Sequence, residues 1–310
     1  MSILTVTLNA AVDKTYTVPG FALNGVYRPT QMRVTAGGKG INVARVYQTL
    51  GGQAVATGFL GGSNGHYIRR QLMAERIRDS FVTVAEESRV CIAVMDPVAG
   101  TQTEVNENGP NVQPADCEAL FGRLRELLPG CEAVILSGSI PPGTPPTVYR
   151  DIIRLAQEEF GVRAVLDTSG EALVQGMTAR PYLAKPNQHE LSALGIPADD
   201  IGMAAQELHD RFGVPVGLVS AGARGAYLAA AEGAWSAVPP PVNLVSAVGS
   251  GDSMTAGFLW ATLRQNATLP EALRLGVGAG AANVLSEGAG FLESAQVFHL
   301  ASRTRLTRLA

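Results

Sequence analysis

One stretch combines residue types that can hold and move a phosphoryl group. It is Val248-Gly249-Ser250-Gly251-Asp252-Ser253, which runs into the apolar segment Met254-Thr255-Ala256-Gly257-Phe258. A glycine-bearing turn that opens a helix leaves the N–H groups of Gly249, Ser250 and Gly251 at the positive end of the helix dipole, a site suited to an anion such as phosphate. Asp252 is the odd member, because a carboxylate repels the anion that such a turn would hold. It makes chemical sense as a base that takes a proton from an attacking hydroxyl while the N–H groups stabilise the phosphoryl group. It makes equal structural sense as a helix cap. The stretch alone leaves both readings open.

Other chemistry-bearing groups are spread along the chain. Ala36-Gly37-Gly38-Lys39-Gly40 brings a lysine to a glycine-rich helix start. It is not a Walker A loop, which needs four residues between its glycines and a Ser or Thr after the Lys. It reads either as a solvated lysine or as close backbone approach to a polar ligand, with Lys39 supplying charge. Asn187-Gln188-His189-Glu190 has the spacing of a capping box. The alternative places Asn187 and Glu190 near a hydrated Mg²⁺ on a nucleotide, since Mg²⁺ keeps several waters. Arg28 and Arg89 taken singly are ordinary surface charges; as a pair they could clamp a substrate phosphate through bidentate bonds. Asp13 could accept from sugar hydroxyls or begin a turn. The glycines of Gly276-Val277-Gly278-Ala279-Gly280 each lose ~1 kcal/mol against Ala in a helix. That favours close helix packing, with a flat ring lying on the backbone as the second reading.

The elements that must position these groups alternate. Helices are expected over about 41–50, 66–77, 115–128, 146–160, 187–194, 203–212, 253–264 and 270–285. Short apolar strands are expected at 3–8, 54–60, 133–136, 162–166, 182–184 and 216–219, with a hairpin at 226–231 and 234–238. Continuous apolar strands alternating with helices mean an α/β fold with a doubly wound, mostly parallel sheet flanked by helices. Ligands bind such sheets beyond the carboxyl ends of the strands. There the chain places Ser137-Gly138-Ser139, Asp167-Thr168-Ser169, Lys185-Pro186-Asn187 and Ser220-Ala221-Gly222. Segments 12–35 and 89–111 alternate too much for that core and suit a small antiparallel β lid. The expected division is a core of 1–11, 36–88 and 112–310 with a lid of 12–35 and 89–111.

Bulk composition excludes several classes. With 310 residues, 46% hydrophobic and 16% charged, the chain can bury a sizeable core and is not disordered. A net charge of −3 provides no electrostatic ground for nucleic acid or an anionic membrane as partner. Three cysteines without paired spacing and four scattered histidines form neither a disulfide frame nor a zinc site, and suit a cytoplasmic protein. The chain begins on a strand, without a signal-like or membrane-spanning run.

Together, Asn9–Asp13, Ala36-Gly37-Gly38-Lys39-Gly40-Ile41-Asn42-Val43-Ala44, Ser137-Gly138-Ser139-Ile140-Pro141-Pro142-Gly143, Lys185-Pro186-Asn187-Gln188-His189-Glu190 and Val248–Ser253 resemble, in this order, the PfkB branch of the ribokinase-like carbohydrate kinases. The Gly-Gly-Lys-Gly-Ile-Asn and Ser-Gly-Ser-Ile-Pro-Pro-Gly forms resemble the phosphosugar kinases, nearest the 1-phosphofructokinases, then the tagatose-6-phosphate and fructose-6-phosphate kinases. Ala10 and Val248 stand where the family usually carries Pro and Thr, and neither change removes a reacting group.

The resemblance implies transfer of the γ-phosphoryl group of ATP, with Mg²⁺, to a hydroxyl of a hexose phosphate. Asp252 would be the base, with Gly249, Ser250 and Gly251 as anion hole. Asp13, Gly38, Lys39 and Asn42 would hold the sugar, and Lys39, Arg89, Ser139 and Arg28 its phosphate. Lys185, Ser220, Gly222, Gly225 and Asn283 would lie along the nucleotide, and Asn187 and Glu190 would face the metal through water. The lid would form a homodimer contact. A non-catalytic sugar-phosphate sensor is the rival of another class; it would have no use for Asp252.

Overall fold

The computed structural model describes residues 2–309. In chain order its elements are β1 (Ser2–Thr7), β2 (Ala11–Thr17), β3 (Gln31–Gly37), α1 (Lys39–Thr49), β4 (Ala54–Gly61), α2 (Gly62–Ala74), β5 (Arg78–Asp79), β6 (Val82–Val84), β7 (Arg89–Asp96) and β8 (Thr101–Asn106). Next come α3 (Pro114–Leu127), β9 (Cys131–Ser137), α4 (Val148–Arg154), β10 (Arg163–Asp167), α5 (Gly170–Met177), β11 (Leu183–Ala184), α6 (Ile201–Asp210) and β12 (Val216–Ser220). The chain closes with β13 (Ala226–Ala230), β14 (Gly233–Val238), α7 (Ser250–Arg264), α8 (Leu269–Asn283), α9 (Ser294–Arg303) and β15 (Arg305–Arg308).

Among the described residues an eleven-stranded sheet runs β15-β14-β13-β12-β11-β10-β9-β1-β4-β5, with β6 paired to β4. The strands from β12 through β5 pair in parallel, and β13, β14 and β15 complete the sheet antiparallel. Alternation along each central strand feeds two cores, as the pleat requires. Ile3, Ile135 and Val165 face the layer of α1, α2, α7, α8 and α9, while Leu4, Val6, Val134, Leu136 and Leu166 face α3 to α6. All eight residues of β4 are buried. This is the doubly wound α/β sheet that the apolar strands imply.

The second sheet has four strands in the order β3-β2-β7-β8. Its hairpins β2–β3 and β7–β8 are antiparallel as expected, but β2 and β7 join them in parallel, Asp13 opposite Cys91. A pairing between segments so distant in sequence has no local signal.

Three further differences are local. Residues 187–194 form a turn and a single 3₁₀ turn, Leu191–Leu194, instead of a helix. Asn187 Oδ1 and Glu190 Oε2 close residues 187–190 into a turn, and Gly195, at φ 64°, ends the 3₁₀ turn that follows. Helix α5, with Ser169 as its N-cap residue, lies beyond the elements expected from sequence. Helix α9 and strand β15 also lie beyond the elements expected from sequence. The α8 glycines serve packing: a Cβ on Gly276 would sit 2.8 Å from Met254 O, and one on Gly278 2.7 Å from the backbone of Ala301.

Candidate active site

Helix α7 is buried on almost every side, so its N-terminus is aimed by the core. Gly249 is the N-cap residue at φ 81°, and a Cβ there would lie 2.5 Å from Ala289 Cβ. Only glycine meets both demands. Ser250 N–H turns back to Ala247 O at 3.3 Å, a long bond, and its hydroxyl donates to the same carbonyl at 2.8 Å. The N–H groups of Gly249 and Gly251 have no acceptor among the described residues. The turn therefore offers two fully open donors and one partly used.

Asp252 does not cap α7. No side chain caps that helix, and Asp252 Oδ2 accepts instead from Asn42 Nδ2 at 2.8 Å, across from α1. The residue is 5% exposed. Burial, with the negative charge of Asp167 nearby, raises its pKa to about 6 against the opposing pull of Lys39, Asn42 and Lys185. A carboxylate with that affinity for a proton, beside open N–H donors, has the properties of a base.

Asp167, at the end of β10, organises the cations. Its Oδ1 lies 3.1 Å from Lys39 Nζ and its Oδ2 2.8 Å from Lys185 Nζ. Burial alone would raise its pKa, yet the two ammonium groups hold it well below the usual carboxylate range. Asp167 in turn keeps Lys39 charged, above the ordinary lysine range despite burial. Lys185 is buried, and a Cβ on Gly251 would sit 3.3 Å from its Nζ, so this ammonium lies at the anion turn. Sequence reasoning noted Asp167 only as a polar strand end; its role as a shared counter-ion needs the two lysines' positions.

The lid sheet supplies the other wall. Asp13, on β2, is paired with Thr35 of β3 and lays its carboxylate against Gly37, where a Cβ would fall 2.0 Å from it. Burial raises its pKa to about 6 even with Arg89 and Arg45 opposing. Arg89 opens β7 and is aimed by Nε donating to Asn9 O and one terminal nitrogen donating to Glu107 O. Ser139 Oγ accepts from Asn9 Nδ2 at 3.3 Å, and the same amide donates to Asn108 O at 2.9 Å. Ser139 is exposed and does not line the cleft. Arg28 is exposed on the segment between β2 and β3 and is not brought to the cleft, because residues 18–30 leave the sheet before reaching it.

A single cleft of about 1950 Å³ joins these groups, beyond the ~300–1,000 Å³ usual for one small ligand. It has room for two substrates end to end. Asp13, Gly38, Lys39, Asn42 and Arg89 line it, as do Asn187, Ser220, Gly222, Gly225, Pro239 and Val242, together with Gly249–Asp252 and Lys185. Val277, Gly280 and Ala281 of α8 also line it, so the glycine cluster both packs and leaves room for a ligand. Asn283 does not. It is fully buried, its Nδ2 donating to Val248 O and its Oδ1 accepting from Ser253 Oγ and Gly290 N, which braces the anion turn from behind.

Asn187 Oδ1 accepts from the N–H groups of His189 and Glu190, while Glu190 Oε2 accepts from Asn187 N–H. The capping-box bonds are thus present, closing a turn instead of a helix. Both side chains spend oxygens on backbone, and no three His, Cys, Asp or Glu converge among the described residues. This donor set fits a hydrated Mg²⁺ carried on phosphate oxygens and not an all-protein cage.

The chain is 38% identical over 285 residues to a 1-phosphofructokinase of Rhodobacter capsulatus, covering 89% of this chain and 90% of that protein. It is 35% identical over 302 residues to a tagatose-6-phosphate kinase of Staphylococcus epidermidis, covering 94% and 95%. The crystal structure of phosphofructokinase-2 from Escherichia coli in complex with potassium matches with a TM-score of 0.90 at 32% identity, covering 97% of this chain and 98% of that one. A ribokinase from Arabidopsis thaliana matches at 0.73 and 20% identity over 97% and 98%, a likeness of fold. The architecture is therefore that of the ribokinase-like kinases. The pattern of the pfkB family carbohydrate kinases matches residues 4–295, and the chain belongs to that family. It is a phosphotransferase acting on a sugar hydroxyl, of the phosphosugar kinase type, and the family implies ATP as donor. Among the described residues no helix is long and apolar enough to cross a membrane.

Proposed function

We propose that the protein is a 1-phosphofructokinase, converting fructose 1-phosphate and ATP to fructose 1,6-bisphosphate and ADP. The observation that carries the chemistry is the buried Asp252, freed from helix capping and set beside the open N–H donors of Gly249 and Gly251. Asp252 takes the proton of the acceptor hydroxyl as the sugar oxygen bonds the γ-phosphorus and the bond from that phosphorus to the bridging oxygen breaks. The turn's N–H groups and Lys185 stabilise the charge on the transferred group. Asp13, Gly38 and Asn42 hold the sugar, and Lys39 and Arg89 the phosphate it already carries. Asn187, Ser220, Gly222 and Gly225 follow the nucleotide. Asn187 and Glu190 would hold Mg²⁺ through water, and the ion would supply charge neutralisation on the nucleotide phosphates.

The choice of sugar rests on the 38% identity to a 1-phosphofructokinase, and the 35% identity to a tagatose-6-phosphate kinase supports the second reading. ADP release measured with fructose 1-phosphate, tagatose 6-phosphate and fructose 6-phosphate separates them. The highest kcat/KM is expected with fructose 1-phosphate; a much higher value on either 6-phosphate would overturn that assignment. We further propose that the protein is a homodimer through its lid, because Met32 on β3 and Val105 on β8 are each 62% exposed on the two edge strands.

A further inference from the structure

Arg45 lies one turn after Asn42 on α1 and is 5% exposed. Every one of its five N–H donors is used. Nε donates to Glu75 Oε2 at 2.8 Å, and one terminal nitrogen to Glu75 Oε1 at 3.2 Å and Ala36 O at 2.8 Å. The other terminal nitrogen donates to Asn42 Oδ1 at 3.0 Å and Ala289 O at 2.9 Å. Phe291 lies under the guanidinium, 4.3 Å from its centre. A guanidinium donates only, so the atom of Asn42 facing it must be the carbonyl oxygen. The amide nitrogen of Asn42 then has to face Asp252. Flipping the amide would set NH₂ against the guanidinium and an oxygen lone pair against the carboxylate.

We propose that Arg45 is a positioning residue for the transfer reaction: it locks the Asn42 amide so that its N–H engages Asp252 Oδ2, leaving the other carboxylate oxygen for the substrate hydroxyl. The same guanidinium holds Ala289, the residue packed against Gly249 of the anion turn, and Ala36, at the lid strand's entry to the site. One side chain thus sets the base, the back of the anion hole and the end of β3 against one another. The inference rests on Asp252 being the base.

The charged groups facing Asp252 are Asp167 of β10, Lys39 of α1, Lys185 after β11 and Asp13 of β2, and Asp13 also feels the charge of Arg45. The amide N–H favours the ionised carboxylate, so losing its orientation makes Asp252 hold its proton to higher pH.

The experiment uses the purified full chain with ATP, Mg²⁺ and whichever of the three hexose phosphates it turns over fastest. Arg45→Met is expected to lower kcat roughly tenfold to hundredfold, less than loss of the base itself, with a smaller, few-fold rise in KM for the sugar that Asn42 also holds. The acid limb of the kcat–pH profile should move to higher pH, and Arg45→Lys, which keeps charge without the fork, should restore part of kcat. In an Asn42→Ala background Arg45→Met should no longer move that limb. An unmoved limb, or an effect fully additive with Asn42→Ala, would overturn the proposal. If Arg45→Met does not fold, Glu75→Gln, which loosens the guanidinium's anchor, should shift the limb in the same direction by less; an unmoved limb there overturns it equally. Asp252→Asn separates the two ideas. Near-normal turnover in that variant removes the base reading, whereas abolished turnover with an unmoved limb in Arg45→Met removes only the role of Arg45.

Discussion

The two walls of the cleft are built by different means. The wall carrying Asp252 belongs to the core: α7 is buried around its N-terminus, Asn283 braces the turn from inside, and Asn42 and Arg45 complete the support with buried bonds. The lid wall is a four-stranded sheet whose strands are half-buried at most of β2 and β7 and exposed along most of β8. Its cleft residues are aimed mainly by bonds to backbone carbonyls, as Arg89 is by Asn9 and Glu107. On the proposed function the core wall carries the chemistry, where a small error in position is expensive in rate. The lid wall then carries recognition, where a lost contact weakens binding and leaves the reacting atoms in place.

The largest expected effect tests the core wall. Asp252→Asn keeps the volume and a polar side chain but cannot accept the hydroxyl proton, so kcat should fall by roughly 10²–10⁴-fold while hexose-phosphate affinity, read by calorimetry, stays within a few-fold. Stability should move the other way. A carboxyl whose pKa is about 6 in the folded state against 3.8 ordinarily stabilises the fold below that lower value and loses the contribution as pH rises through 6. At neutral pH the buried charge is a net penalty, and its removal should raise Tm by a few degrees. Loss of turnover with a lowered Tm would show that Asp252 serves the fold.

Next in size is Arg89→Met on the lid wall. Losing one charge-assisted contact of about 1.5–3 kcal/mol should raise KM for the hexose phosphate roughly 10- to 100-fold, with kcat much less affected. A kcat loss as large as that of Asp252→Asn, at unchanged KM, would erase the distinction between the walls.

Legibility followed the same division. The turn Gly249-Ser250-Gly251-Asp252, its entry into α7 and the polar ends of the parallel strands could be read because each is a local pattern. The even balance between cap and base could also be stated, and the Asn42 bond removes the cap. Asp167 as shared counter-ion of Lys39 and Lys185, Arg45 behind Asn42, and the parallel pairing of β2 with β7 are contacts between distant segments, and no local spacing encodes them. Asn283 shows the opposite limit: its family position lies near the nucleotide, but its side chain is wholly spent inside the protein. Arg28 had only an approximate motif, and its segment leads away from the cleft.

A smaller effect compares the two raised carboxylates, Asp252 on the core wall and Asp13 on the lid. Both are raised to about 6, burial being the main cause for each. Activity should fall on acidification through pH 6 as each takes up a proton. If Asp13 serves sugar binding and Asp252 the transfer, kcat should show one acid limb and kcat/KM two, the latter tending to a hundredfold loss per pH unit. Asp13→Asn should lower the slope of kcat/KM to that of one group and leave the kcat limb in place. A kcat limb abolished by Asp13→Asn would move the catalytic proton to the lid.

The smallest effect on catalysis is expected at the lid's outer edges. Met32 and Val105 lie on β3 and β8, and edge strands with exposed apolar side chains invite pairing with another chain. Leu23 and Val26, on the segment between β2 and β3, are also exposed, at 88% and 98%. Met32→Glu with Val105→Glu places like charges on that surface without touching the core, so Tm at low protein concentration should change little. Sedimentation should then show the unmodified protein as a dimer at micromolar concentration and the double variant as a monomer. Because Asp252 and its supports lie in the core, the monomer should keep its kcat to within a few-fold while KM for the sugar rises as the lid loses its support. An unmodified protein that sediments as a monomer would remove the dimer, and a monomeric variant that loses kcat and not affinity would show that the lid, too, aligns the reacting atoms.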